Sequence, residues 1–548
     1  MNKFFTFLLC IFLLNIGCNK DPKKDNQNKS VFRYNESAGI SSLDPAFARN
    51  AENIWAVNQI YNGLVQMNDN LEVKPCIAKS WEVSEDGLRY SFHLNTDIYF
   101  HDHKLFPKGK GRKVIASDFA HSFFRIIDPE VASPGAWIFN QLDKHDNLGI
   151  HAINDSTLVL KLKQPFPPFL GLLTMQYCSV VPHEIVEHYQ RDFRNNPIGT
   201  GPFKFKFWKE GVKLIFIKNE DYFEMDEKGN SLPYLDAISI SFLNEKQVIF
   251  LEFIKGDLDF ISGLSDIPKD EVLSQTGELN RKYQNRFKLD LLPYLKTDYL
   301  GILVDENSDI VKDNPLSIKE IRKAINYGID RKKMIRYLRN NIGIPANNGI
   351  IPYGLPSYDQ SKVNGYKYNP DKAKELLANA GFSNSNQPQI TINTSSDYLD
   401  MCEFIQHQLS EIGIDVKIDV KPAVTLRELV AKSKLNVFRK NWLADYPDAE
   451  NYLALFYSKN FSPIGPNYCH FSHEEFDMLY ERSQKETNDS IRYLYYHQMD
   501  SIIIEEAPIV PLYYDQVIRL VHNNISGLNK NPMNLLNLKK VKKEVHLN

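Results

Sequence analysis

Cysteine is scarce in this chain, six in 548 residues, and no two of them have CxxC spacing. Zinc knuckles and thioredoxin-type redox chemistry therefore lose their signature. No GxSxG surrounds a serine and no GxxxxGK[ST] is present, so the nucleophile elbow and the phosphate-binding loop are absent too. A zinc-protease helix needs histidines four apart on one face. In "HEIVEH" His183 and His188 are five apart and Glu187 takes the ligand position, which reads as a surface helix after Pro182. "HDH" (His101, Asp102, His103), with His93 nearby on a hairpin, is a second metal candidate, but adjacent polar residues in a turn are the commoner reading. "GKGRK" from Gly109 to Lys113 lacks the rest of a phosphate-binding motif and reads as a turn. No metal, no cofactor and no catalytic residue is expected. Positive charge is not in excess: the formal net charge is −3, against a nucleic-acid binder with its basic stripe. The lysines of "NLKKVKKEVHLN" suit a solvated strand face.

Long apolar runs are missing as well. The run from Phe4 to Ile16 has thirteen residues, short of the roughly 20 that cross a bilayer core. With Lys3 before it and Gly17 after it, it reads as a signal peptide over residues 1–17. Cys18, directly after Gly17, resembles the acylated first residue of a mature bacterial lipoprotein, although Asn15 stands where leucine is usual. Residues 18–30, "CNKDPKKDNQNKS", contain no large apolar side chain and read as a flexible tether, with folded structure expected from Val31. Cys76, Cys178, Cys402 and Cys469 then remain, as two bridges or as free buried thiols.

What is present is an ordinary globular balance, 43% hydrophobic and 24% charged. About 518 residues follow Ser30, room for two to four domains. The stretch from Ser317 to Val420 reads as an α/β lobe. "SIKE" from Ser317 to Glu320 has the form of a capping box. "NPDKAKELLANAGF" offers Asn369 as N-cap, Pro370 at the first helical position and Gly381 past the end. "QITIN" and "IDVKIDVK" alternate as strands around a helix that Gly413 stops. The first half is richer in alternating segments, among them "LRYSFHLNTDIYF", "STLVLKLKQPF" and "LDAISISFL".

"NWLADYPDAENYLALFYS" places Asp445, Asp448 and Glu450 within six positions. Asp448 suits an N-cap and Glu450 the second helical position, both favoured at the positive end of a helix dipole. Asp445 ends the apolar strand "LNVFRKNWLA", before a loop and a helix, where ligands sit in α/β sheets. By position alone it is equally a partner for Arg439 or Lys440.

"FRKNWLADYPDAENYLALFYS" resembles the signature of the extracellular solute-binding proteins of family 5, the peptide-binding lipoproteins of ABC importers. "LDPAFARNAENIWAVNQIYNGLV", "DPEVASPGAWIF", "GTGPFKFKFWKEG", "SIKEIRKAINYGIDRKKMI", "AKELLANAGF" and "APIVPLYYDQVIRLV" follow that family's order. The resemblance implies an α/β, two-lobed, type II periplasmic-binding fold with an extra third domain inserted in the first lobe. In this chain that places lobe I at 31–61, 199–295 and 515–548, the extra domain at 62–198, and lobe II at 296–514. It implies that Asp445, in "WLADY", meets a peptide's α-amino group and that Arg439 meets the carboxylate of a short peptide. Trp442 and Tyr446 are candidate ligand contacts, Trp442 reading equally as a core residue. Where the family often carries a stacking tryptophan, Ala423 and Val424 stand in "KPAVTLREL". The implied protein is a monomer, lipid-anchored through Cys18 on the periplasmic side of a bacterial membrane. It would deliver short peptides to ABC permease subunits. The same scaffold with a metal chelate, haem or sugar as cargo is the alternative, ahead of an extracytoplasmic hydrolase.

Overall fold

A computed structural model describes residues 29–263, 267–383 and 385–544. The expected signal peptide, Cys18 and the tether up to residue 28 lie outside the described residues. The tether's end does not hang free: Ser30 donates its backbone N–H to Asp236 Oδ2 at 2.7 Å, one residue before the first strand, Val31–Asn35.

Period-two alternation builds one long sheet. From edge to edge its strands are Asp415–Val420, Gln389–Thr394, Val437–Leu443, Phe287–Ile302, Ile509–His522, Phe260–Ser262, Val31–Asn35, Ala237–Ser241, Lys213–Lys218 and Phe203–Lys209, with the short Ile344–Pro345 paired beside Ile509–His522. The two long central strands pair twice. Phe287 to Pro293 run against His522 to Gln516, and Thr297 to Gly301 run against Tyr514 to Ile509, with the register slipping between Pro293 and Thr297. A second register shift falls between Asp298 and Tyr299.

The second lobe takes its helices from strong local signals. Asn369 accepts the N–H of Lys372, Pro370 opens the helix Pro370–Asn379, and Gly381 turns the chain out at φ +86. The capping box expected at Ser317 does not form. Asn314 caps a tight turn, Pro315–Ser317, by accepting from Leu316, and the Ser317 hydroxyl donates to the Asn314 carbonyl at 2.9 Å. That bond engages the Ser317 hydroxyl, and the helix begins only at Lys319, with Ile318 at its N-cap. Side chains cover both faces of this lobe's sheet: Tyr299, Phe438, Tyr452 and Tyr496 on one, Ile302, Ile325, Ile405 and Val437 on the other.

A separate four-stranded antiparallel sheet, in the order Ala78–Val83, Arg89–Leu94, Thr157–Lys161 and Ile150–Asn154, is covered by the helix Ala116–Ile127. Its Phe92, Phe119 and Leu158 share one hydrophobic cluster with Phe32, Trp55 and Ile238 of the first lobe. Cys76, Cys178, Cys402 and Cys469 are free and buried. Burial pushes the thiols of Cys76 and Cys469 up to about 12. "HEIVEH" opens the short helix His183–Tyr189, and His101 is buried with Nε2 2.9 Å from the Gly201 carbonyl. No helix of the described residues is long and apolar enough to cross a membrane.

Candidate functional site

The strand Val437–Leu443 pairs along its whole length with Phe287–Ile302, from Val437 opposite Ile302 to Leu443 opposite Lys296. On its other edge only Val437 and Phe438 are paired, in parallel with Ile392 and Asn393. From Arg439 to Leu443 that edge meets no strand among the described residues. A free edge presents backbone N–H and C=O groups as a template for another extended chain. Side chains alternate along it. Arg439, Asn441 and Leu443 share one face of the sheet; Phe438, Lys440 and Trp442 share the other, where Phe438 and Trp442 join the Tyr452 core.

Past the strand, the Ala444 N–H donates to the Leu295 carbonyl at 2.9 Å, and the chain turns at Asp445. Asn451 holds the turn. Its Oδ1 accepts from the Asp445 N–H at 3.1 Å and from Trp442 Nε1 at 2.8 Å, and its Nδ2 reaches Asp445 Oδ2 at 3.4 Å. Asp445 keeps an exposed surface, yet the protein crowding its carboxyl raises the pKa by desolvation, with Asn451 acting the other way. No lysine, arginine or histidine of the described residues lies within ion-pair distance of it. Burial raises the Tyr177 phenol, with Arg49 opposing the rise and the charge of Asp445 adding to it.

Arg439 is 8% exposed and lies with its guanidinium carbon 3.1 Å above the centre of the Tyr398 ring. It forms an ion pair with Asp298, which is fully buried. Lys296 Nζ stands 3.4 Å from Asp298 and 2.8 Å from Asp515, and Arg339 meets Asp515 at 2.5 Å. Burial draws the Arg439 guanidinium down to about 10. Burial alone would raise Asp515, but Arg339 and Lys296 outweigh it and hold the carboxyl low. Three cations thus face two carboxylates, leaving one positive charge in excess beside the strand.

Trp442 is half-buried, packed on the Tyr452 core and fixed through Asn451. Tyr446 is 6% exposed, within the same hydrophobic cluster as Phe32 and Trp55; its hydroxyl donates to Glu450 and its ring centre lies 6.3 Å from that of Trp137. The other two acids are structural. Asp448 accepts from the Glu450 N–H at 2.9 Å and the Tyr496 hydroxyl at 2.7 Å, and pairs with Arg492 at 3.1 Å. Ala449, not Asp448, stands at the N-cap, and Glu450 is the first residue of the helix rather than the second. Glu450 is 4% exposed and accepts the hydroxyls of Tyr446 and Tyr480, and the one-turn helix Glu450–Leu453 that it opens packs against the helix Asp489–Glu506. Burial accordingly raises the Glu450 carboxyl. Asn451, Asp298 and Tyr398 were not marked by any sequence motif; they are found by pairing register and by the turn.

The model of the bacterial extracellular solute-binding proteins, family 5 middle region, matches residues 72–463. The dipeptide-binding protein DppE of Bacillus subtilis strain 168 is 24% identical over 548 residues, covering 95% of this chain and 93% of that protein. Heme-binding protein A of Haemophilus influenzae is 27% identical over 500 residues, covering 86% and 85%. Among solved structures, the periplasmic binding protein DppA of Helicobacter pylori, in complex with the peptide STSA, superposes with a TM-score of 0.73 at 27% identity. It covers 95% of this chain and 100% of that one. The fold is that of the type II periplasmic binding proteins.

Proposed function

The chain belongs to the bacterial extracellular solute-binding proteins of family 5, and from that premise we propose that it captures short peptides by their free amino end and passes them to an ABC permease. Relatives named for dipeptide and for haem leave the cargo open. What favours a peptide is one observation: the Asp445 carboxyl, exposed yet crowded by protein, stands past an unpaired strand edge with no lysine, arginine or histidine of the described residues within ion-pair distance. An α-amine carries its charge at neutral pH, with a pKa near 8. An extended peptide laid along Arg439 to Leu443 would take strand hydrogen bonds from the backbone and bring its ammonium to Asp445. Its far carboxylate would then meet the excess positive charge around Arg439, Lys296 and Arg339. In this reading residues 296–514 close over 31–61, 199–295 and 515–548 with the inserted body 62–198, and Trp442 walls the cleft. Cys18, once acylated, would tether the binding body to the membrane that holds the permease.

Calorimetric titration with a tripeptide mixture and its N-acetylated twin tests this. The free-amine set should bind and the acetylated set should not. Asp445→Asn should lose affinity about a hundredfold or more, since leaving one charge of a buried pair alone costs about 3–5 kcal/mol. Equal binding of both mixtures removes Asp445 from the role and points to cargo without an amine.

A further inference from the structure

The strand carries a second charge without a counterion, on its other face. The Lys440 ammonium rests 3.9 Å from the centre of the Tyr468 ring. No carboxylate of the described residues comes within ion-pair distance of it. The charged neighbours that act on it are both cations, Arg427 on the helix Ala423–Ala431 and Arg439 one residue away, beside the buried Cys469 thiol. Burial, opposed by Cys469 and assisted by the two arginines, draws the Lys440 pKa down to about 8. A half-buried cation among cations costs free energy unless an anion joins it. The two faces of the strand differ in this respect. Arg439 already has Asp298, whereas Lys440 has only an aromatic ring.

The free edge supplies the route for that anion. Lys440 lies within the unpaired stretch from Arg439 to Leu443. A peptide added there alternates its side chains between the two faces, and directly opposed residues have Cβ atoms roughly 5 Å apart. One ligand side chain would therefore stand beside Lys440, within reach of the exposed Arg427. We infer that Lys440, with Arg427 beside it, forms a side-chain pocket for an anionic group, so that the preferred cargo is a peptide carrying an aspartate or glutamate at one defined position. The inference rests on the peptide reading above and adds its side-chain preference.

The test uses the full-length protein and six tripeptides, alanine throughout except for one Glu or one Gln at each position in turn. The Glu and Gln members share size and α-amine, so their affinity ratio reports the pocket's charge alone. At one position the wild type should prefer Glu by about tenfold, a typical scale for one favourable charge pair. Lys440→Met should bring that ratio to near unity, and Lys440→Arg should restore it. If the Gln peptides bind and no Glu peptide gains, or if Lys440→Met keeps the wild-type ratio, the anionic pocket falls while the peptide reading stands. If none of the six binds, both fall.

Discussion

Asp500 sits on the helix Asp489–Glu506 with its carboxylate turned into the protein, accepting the N–H of Ile350 at 2.9 Å and that of Ile351 at 3.4 Å. Gly349 beside it has φ +102, and a Cβ there would lie 2.1 Å from Asp500 Oδ2, so the loop can approach the acid only as glycine. With no cation of the described residues within ion-pair distance, burial raises this carboxyl to about 7, against about 3.9 in an unfolded chain. The folded state therefore binds the proton more tightly. The resulting stability is full below pH 4 and is lost as pH rises towards 7, a change on the order of 4 kcal/mol. Asp500→Asn, which mimics the protonated acid, should flatten the slope of unfolding free energy between pH 4 and 7. Chemical denaturation at several pH values measures it, and parallel slopes for both proteins would refute the assignment. At this scale the sequence was partly legible. Asp445 lies in a recognisable stretch, but Asp298, which engages Arg439, is 141 positions away and becomes visible only when the two strands are set in register. Asn451 carries no motif at all; its role comes from the turn it closes.

Among the elements, the stretch "LNVFRKNWLA" reads as a buried strand, and its first half is one. Its second half opens: Lys440, Asn441 and Trp442 are half-buried and Leu443 is 41% exposed. Apolar patterning could find the strand but not its missing neighbour, because pairing depends on where Gln389–Thr394 ends its contact, at Asn393 opposite Phe438. The helices were easier to read wherever a cap and a glycine bracket them, as at Asn369 and Gly381. They were harder at Ser317, where a competing asparagine–proline turn intervenes. The open edge makes a prediction that no side-chain substitution can test. If the ligand is held as an added strand, methylating an interior amide nitrogen of a binding tripeptide removes one donor and should weaken it by about 1–2 kcal/mol. Titrating the methylated and parent peptides side by side measures the loss. Equal affinities at every interior amide would mean that the ligand is held by its ends alone.

Over the whole molecule, the central strands Phe287–Ile302 and Ile509–His522 link the two halves of the long sheet, and their register shifts between Pro293 and Thr297. Lys296 falls inside the break, and its ion pair with Asp515 at 2.8 Å joins the two strands at that point. A bend there needs few backbone torsions to change, the usual arrangement for hinge closure. Packing between residues 62–198 and 296–514, such as Tyr446 against Trp137, is aromatic contact without a hydrogen bond between the two rings, which can part without stranding a buried polar group. A ligand whose ammonium meets Asp445 on one wall, and whose body fills the gap toward the other, would bind the closed arrangement better than the open one. Differential affinity of that kind is what shifts a conformational population. Small-angle X-ray scattering should therefore give a larger radius of gyration for the free protein than for the protein saturated with a binding tripeptide. The N-acetylated twin at the same concentration should cause no contraction, because it lacks the charge that draws the walls together. Contraction with the free-amine peptide alone ties closure to the Asp445 contact. An unchanged radius at saturation would mean that the hinge strands hold one fixed angle and that cargo enters an already formed cleft.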